Sequence, residues 1–237
     1  MSNHVFVFKQ FKIAQDKCAM KVGTDAVLLG SWVNTSNAKT ILDIGTGTGI
    51  ITLMLAQKSG AKIDAIDIDE NSYVQAKENV EACKWKERIT VYHMPLQEFS
   101  IKSERKYDLI VSNPPYFVDS SKASEEARTN ARHTDQLEYI ELLNGVLKLL
   151  NPTGKFYVIL PTKESERFRE IAAENTLFLT KQTKVITRTD KPEKRLLMRF
   201  EFTNRTFSED SIIIEKDERH SYTDEYKELT KDYYLAF

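Results

Sequence analysis

Between Tyr107 and Phe117 the chain reads YDLIVSNPPYF: an apolar run closes on Asn113, and Pro114 and Pro115 then halt the chain before the ring of Tyr116. Prolines donate no backbone hydrogen bond and fix φ, so the segment holds a neutral amide and a rigid carbonyl at a strand tip. Two acceptors, the Asn113 side-chain oxygen and the Pro114 carbonyl, can hold both N–H groups of an exocyclic amino group. Such nitrogens are poor nucleophiles because the lone pair is delocalised. Acceptors placed there stabilise the positive charge that develops as nitrogen attacks an electrophilic carbon, and no general base is required. Tyr116 offers a face on which a planar ring can stack. Taken alone, the tetrapeptide reads equally as a strand-ending turn.

A second motif gives it weight. LDIGTGTGI, Leu42 to Ile50, places glycines at 45, 47 and 49 between a strand and a helix, where the backbone can turn sharply, approach a ligand closely and leave helix N–H groups facing it. The dinucleotide fingerprint would put its third glycine at Ile50, which argues against a dehydrogenase. Asp43 beside the loop would repel a pyrophosphate but attract an ammonium. Asp67, at the tip of the next strand in AIDIDE, is placed to accept both hydroxyls of a ribose. A ligand with an adenosine part, a cationic part and no phosphate is S-adenosylmethionine. Asp69 reads as the cap of the following helix.

These residues need strands to carry them. TILDI (40–44), KIDAID (62–67), RITVY (88–92), YDLIV (107–111) and KFYVIL (155–160) read as strands, with helical patterns at about 49–59, 71–82 and 136–150. The alternation predicts right-handed βαβ crossovers and a parallel, doubly wound sheet. The fourth of these strands then ends beside the cofactor crevice, which puts Asn113 next to the methyl group. After 160, a helix at about 163–174 precedes KQTKVITR and RLLMRFEF, joined by TDKPEK, an antiparallel hairpin expected at the sheet edge. A helical pattern closes the chain.

The 237 residues, 41% hydrophobic, suffice for one large α/β domain, read as 1–38 N-terminal extension, 40–205 core and 206–237 helical extension. A formal net charge of −1 removes any global electrostatic argument for a nucleic-acid or membrane partner. Cys18 and Cys83 have neither metal spacing nor the density of a disulfide scaffold, and no run approaches a membrane span or a signal peptide. A soluble, cytoplasmic monomer without metal is the expectation.

DIGTGTG followed by NPPY resembles the amino-directed class I S-adenosylmethionine methyltransferases. More narrowly, MKVGTDAVLLGSW, LDIGTGTGIITLMLAQ, YDLIVSNPPYF, RTNARHT, RLLMRFEF and YTDEYKELTKDYYLAF together resemble the bacterial tRNA1(Val) adenine-N6 methyltransferase family over nearly the whole chain. The resemblance implies a Rossmann-like fold with a mostly parallel seven-stranded sheet and an antiparallel edge hairpin. It also implies methylation of the adenine 3′ of the anticodon, position 37, of a tRNA. It assigns Lys21, Gly23, Thr24 and Asp25 to the cofactor rim, Asp43, Gly45 and Gly47 to the methionine end, Asp67 to ribose, and Asn113, Pro114, Pro115 and Tyr116 to the target amino group. Where relatives often carry an acid against the adenine, HMPLQEF has Pro95, so Gln97, Glu98 or backbone N–H groups are the candidates. The release-factor glutamine methyltransferases share Asn-Pro-Pro-Tyr but carry a helical domain before the glycine loop, and 42 residues precede Asp43 here, which favours RNA. A cofactor-fold RNA-binding protein without turnover is the third reading, opposed by the completeness of both motifs.

Residues 181–205 hold eight basic against three acidic side chains, and 209–237 nine acidic against four basic, so a polarised surface is expected, with Lys191, Lys194 and Arg195 facing RNA. An equally simple reading is a pair of solvated faces, since alternating Lys and Arg also protect an edge strand. The polar segment FVDSSKASEEARTNARHT suggests a lid, with Arg128, Arg132 and His133 as RNA contacts.

Overall fold

The computed structural model describes residues 4–115 and 139–237. Strand β1 (Val5–Val7) pairs antiparallel with β2 (Lys12–Ala14) in a small sheet of its own. Helix α1 (Thr24–Trp32) leads into β3 (Thr40–Ile44), the glycine loop and α2 (Ile50–Lys58). Next come β4 (Lys62–Asp67), α3 (Glu70–Glu81), β5 (Ile89–His93), α4 (Leu96–Lys102) and β6 (Tyr107–Ser112). After helix α5 (139–149) follow β7 (Leu150–Pro161), α6 (Thr162–Glu174), β8 (Phe178–Arg188), β9 (Glu193–Glu201), β10 (Ser208–Glu215) and α7 (Asp224–Thr230).

The large sheet runs β10-β8-β9-β7-β6-β3-β4-β5, with β7 to β5 parallel. β3, β4 and β6 are buried apolar runs because helices cover both faces: one core gathers α1 and α2, the other α5 and α6. From β3 the chain winds outward through β4 and β5, then returns to place β6 on the other flank of β3. Order therefore reverses at the β3/β6 boundary, where crevices form beyond the strand ends.

Four departures from the expectation have physical reasons. The large sheet has eight strands, not seven: SEDSIIIE, inside the stretch read as a helical extension, is β10, and its Ile212–Ile214 run pairs parallel with β8. The β8–β9 hairpin is antiparallel as expected but is not at the edge, because β10 lies outside it. Helix α1, inside the stretch read as an extension, is core structure, with Ala26 to Gly30 buried; being apolar all round, it showed no helical stripe. The N-terminal hairpin and the seven-residue α4 were too short for periodicity to reveal.

The N-terminal segment is pinned by one amide. Asn79 on α3 accepts from Ala14 N (2.8 Å) and donates to Ala14 O and Thr48 O (2.8 Å each), joining β2 to the glycine loop. Asn79→Ala strands these buried partners, and a loss of about 2–4 kcal/mol is expected as a lower urea midpoint at unchanged slope.

Candidate active site

The register fixes the geometry. Ile44 at the end of β3 pairs with Ile66 of β4 on one side and Ser112 of β6 on the other. Gly45, Asp67 and Asn113, each one residue further, therefore stand side by side on three adjacent parallel strands, about 5 Å apart per strand. Ser112 Oγ donates to Ile44 O at 2.9 Å and locks the two outer ends together.

The loop turns through three left-handed glycines, Gly45 (φ 71°), Gly47 (φ 56°) and Gly49 (φ 81°), a conformation that disfavours every side chain. A Cβ at Gly45 or Gly47 would meet nothing within 4 Å, so the loop presents bare backbone to open space. Four of its N–H groups are satisfied within the protein: Gly45 N and Thr46 N donate to Ile66 O, Gly47 N to Asp67 Oδ2 and Gly49 N to Thr46 O.

Asp43 is fully buried beneath the loop, where Oδ2 accepts from Thr46 Oγ1 (2.8 Å) and Thr52 Oγ1 (2.7 Å), both hydroxyls supplied by the motif itself. The positive end of α2 already faces this carboxylate, so it is not available to a phosphate. Oδ1 is buried with no hydrogen-bond partner among the described residues. Burial, opposed by the hydroxyls of Thr52 and Thr46, pushes the carboxyl up to about 6. Such a group calls for a proton or a neighbouring cation.

Asp67 is 9% exposed. Its two oxygens accept from Gly47 N (2.8 Å) and Asp69 N (3.0 Å), leaving a further lone pair on each. Burial raises its pKa, against the pull of those N–H groups. Asp69 caps α3 through Ser72 N, as expected. Ile68 between them, 70% exposed, is an apolar ledge beside the carboxylate that periodicity could not flag.

On the other flank, Asn113 and Pro114 are half-buried and Pro115 exposed. Pro114 and Pro115 line a cleft of about 170 Å³ together with Gly45, Leu96, Gln97 and Tyr139, so both motifs share one cavity. Gln97 donates to Glu141 Oε2 at 2.5 Å across its mouth, while Glu98 is turned to Lys102. Tyr116, Arg128, Arg132 and His133, and the segment read as a lid, lie outside the described residues.

The residues expected at the cofactor rim lie where the N-terminal segment enters α1. Lys21 Nζ donates to Gln15 O (2.5 Å) and Cys18 O (2.9 Å), folding the loop that delivers Gly23 to the start of α1 and Thr24 to its first turn. Asp25 is paired with Arg195 Nε at 2.9 Å, joining a residue expected at the cofactor to one expected at RNA. Lys191 is paired with Asp190, and Lys194 is exposed.

The two stretches meet at one strand pair: Lys181 pairs with Asp210 (3.3 Å) and Lys184 with Glu209 (2.7 Å), because β10 lies against β8 and brings two of the acids to two of the lysines. Arg199 and Arg205 both turn to buried Glu201.

Comparison with known proteins decides the family. The family model "Methyltransferase small domain" matches residues 18–168. The chain is 49% identical to a tRNA1(Val) (adenine(37)-N6)-methyltransferase of Bacteroides thetaiotaomicron, over 99% of both chains. It is 46% identical to that of Trichodesmium erythraeum over the full length of both, and 41% to that of Histophilus somni over 98% of both. The chain belongs to the tRNA1(Val) (adenine(37)-N6)-methyltransferase family. Among solved structures, a predicted O-methyltransferase of Agrobacterium tumefaciens superposes with a TM-score of 0.70 at 15% identity, covering 88% of this chain and 96% of that one, and shows the shared fold. In this chain Pro114 and Pro115 and the first glycine of the loop meet at one cleft, and the α/β architecture is that of a class I methyltransferase.

For Asp67→Ala, removing the charged acceptor is expected to weaken S-adenosylmethionine binding by roughly 1.5–3 kcal/mol. Calorimetric titration with unchanged affinity would move the ribose role away from Asp67.

Proposed function

We propose that this protein transfers the methyl group of S-adenosylmethionine to N6 of adenine 37 in tRNA1(Val). The observation that carries the reading is the alignment of Gly45, Asp67 and Asn113 at the ends of three adjacent parallel strands. The cofactor fits these residues: open space over Gly45 and Gly47, an orphaned buried oxygen on Asp43 to attract an ammonium, and free lone pairs on Asp67 for a ribose. When bound, it supplies an electrophilic methyl carbon on a positively charged sulfur.

Each residue then has a task. Asp43 holds the amino-acid end from beneath the loop, Asp67 the ribose, and Ile68 offers an apolar face to the adenine. Gln97 lies at the mouth of the shared cleft, on the side nearer the target base. The Asn113 side-chain oxygen and the Pro114 carbonyl hold the two N6 protons of the target base, with Tyr116 stacked on its ring. As N6 takes up the methyl group, these two acceptors would stabilise the positive charge that grows on it. The excess proton leaves to solvent, so no general base is needed. Extruding a loop base into the cleft costs less than extracting one from a duplex. Both cysteines are free and buried, which suits a reducing cytoplasm.

The test is mass spectrometry of nucleosides after reaction with S-adenosylmethionine and bulk tRNA. N6-methyladenosine confined to a valine tRNA is expected; label appearing only in protein would overturn the reading.

A further inference from the structure

The charges along β8 and β9 are mostly spoken for. Lys181 and Lys184 face the acids of β10, Arg188 and Lys191 share Asp190, Arg195 holds Asp25, and Arg199 and Arg205 share Glu201. Pairing of this kind leaves little field to attract a polyanion. At the end of the sheet that carries Asn113 the situation differs.

β7 lies beside β6, with Val158 opposite Ser112, and runs on to Pro161, so the start of α6 rises roughly 10 Å past the end of β6. Pro161 is in register with Arg195 of β9, and Thr162 Oγ1 donates to Glu193 O at 3.2 Å. That bond ties the first residue of α6 to the first residue of β9, and the next residue on each side is a lysine. Lys163 and Lys194 are both exposed and have no ion pair among the described residues. Two cations without an ion pair among the described residues thus follow a shared tie between α6 and β9, at the end of the sheet that carries Asn113.

We propose that Lys163 and Lys194 form the phosphate-binding ledge of this site, gripping the RNA backbone next to the extruded adenine. The proposal rests on the methyltransferase reading and names the surface that reading requires. Lys163 carried no signal in the sequence, because a lone lysine in KESERFRE reads as the solvated face of a helix. The geometry also revises the RNA-facing set: Arg195 holds the α1 rim in place, Lys191 is offset by Asp190, and Lys194 retains the expected role. Asn113 selects the amino group and the ledge sets the register of the strand.

The test compares two pairs of neutralised lysines. Lys163→Gln with Lys194→Gln is expected to raise the KM for tRNA roughly tenfold at low salt and to flatten the dependence of log KM on log salt by about two, one counterion per lost contact. S-adenosylmethionine affinity and the melting temperature should stay at the wild-type values. Lys181→Gln with Lys184→Gln, which removes as much charge from the same hairpin region, is expected to leave KM and the salt slope unchanged. An unaltered slope in the first pair, or equal changes in both pairs, would overturn the ledge. Failure of the wild-type protein to methylate any tRNA would instead sink the underlying reading, so the two failures are distinguishable.

Discussion

Asn113→Ala is expected to reduce methyl transfer by on the order of 10²–10³ while leaving S-adenosylmethionine affinity nearly intact. The magnitude is that of losing one preorganised electrostatic partner in a transition state. The selectivity follows from position: Asn113 extends β6, on the flank of β3 opposite Asp67, between Ser112 and Pro114, which both line the cleft. An acceptor that engages the amino group mainly as charge grows there contributes little to ground-state binding, so KM for tRNA should change much less than turnover. Single-turnover methylation at saturating tRNA is the measurement. A near-normal rate would reduce Asn113 to a strand-ending turn residue and remove the mechanism.

Asp43→Asn should act in opposite directions on stability and on function. With its folded pKa pushed up by burial to about 6, above the ordinary aspartate value of about 4, Asp43 favours folding fully below pH 4, and that advantage is lost as pH rises through 6. At 1.36 kcal/mol per pH unit, the interval corresponds to about 3 kcal/mol at pH 8. The cofactor-free variant should therefore melt higher than wild type at pH 8, and the gap should narrow as pH falls towards 4. Its affinity for S-adenosylmethionine should drop by roughly 10²-fold at pH 8, the cost of a buried ionic partner. Wild-type affinity should itself weaken below pH 6 as the carboxylate takes up a proton. Scanning calorimetry across pH, paired with titration of the cofactor, checks both. Equal melting at pH 8 would show that the buried charge is compensated from within the protein.

The two motifs were legible because each carries chemistry at a fixed spacing: glycines at alternate positions after a strand, an acid at the tip of the next, and Asn-Pro-Pro after a buried run. The parallel sheet followed from the strand–helix rhythm. Thr46 and Thr52 were not legible as partners of Asp43, since their hydroxyls converge only once the left-handed glycines fold the loop back. β10 was missed because five of the eight residues of SEDSIIIE are polar. Its acids serve as cross-strand partners for Lys181 and Lys184, a use that charge counting along the chain cannot distinguish from a repelling tail. Lys163 escaped notice, and Lys194 could not be told apart from Lys191 and Arg195, for the same reason: what sets the two lysines apart is the ion pair they lack among the described residues.

The reversal of strand order at β3 also constrains how the molecule is made. Ile44 and Ser112 are bonded neighbours at the heart of the site, yet they are 68 residues apart in sequence. A chain emerging from the ribosome can build β3, the glycine loop, β4 and β5 first, but one long flank of β3 then stays unpaired until residues 107–112 arrive. That open flank is an apolar strand edge able to pair with another nascent chain. β3 is thus the first strand of the large sheet to be made, yet one of its flanks waits for β6, and slow elongation between residues 70 and 107 would lengthen the interval in which it can aggregate.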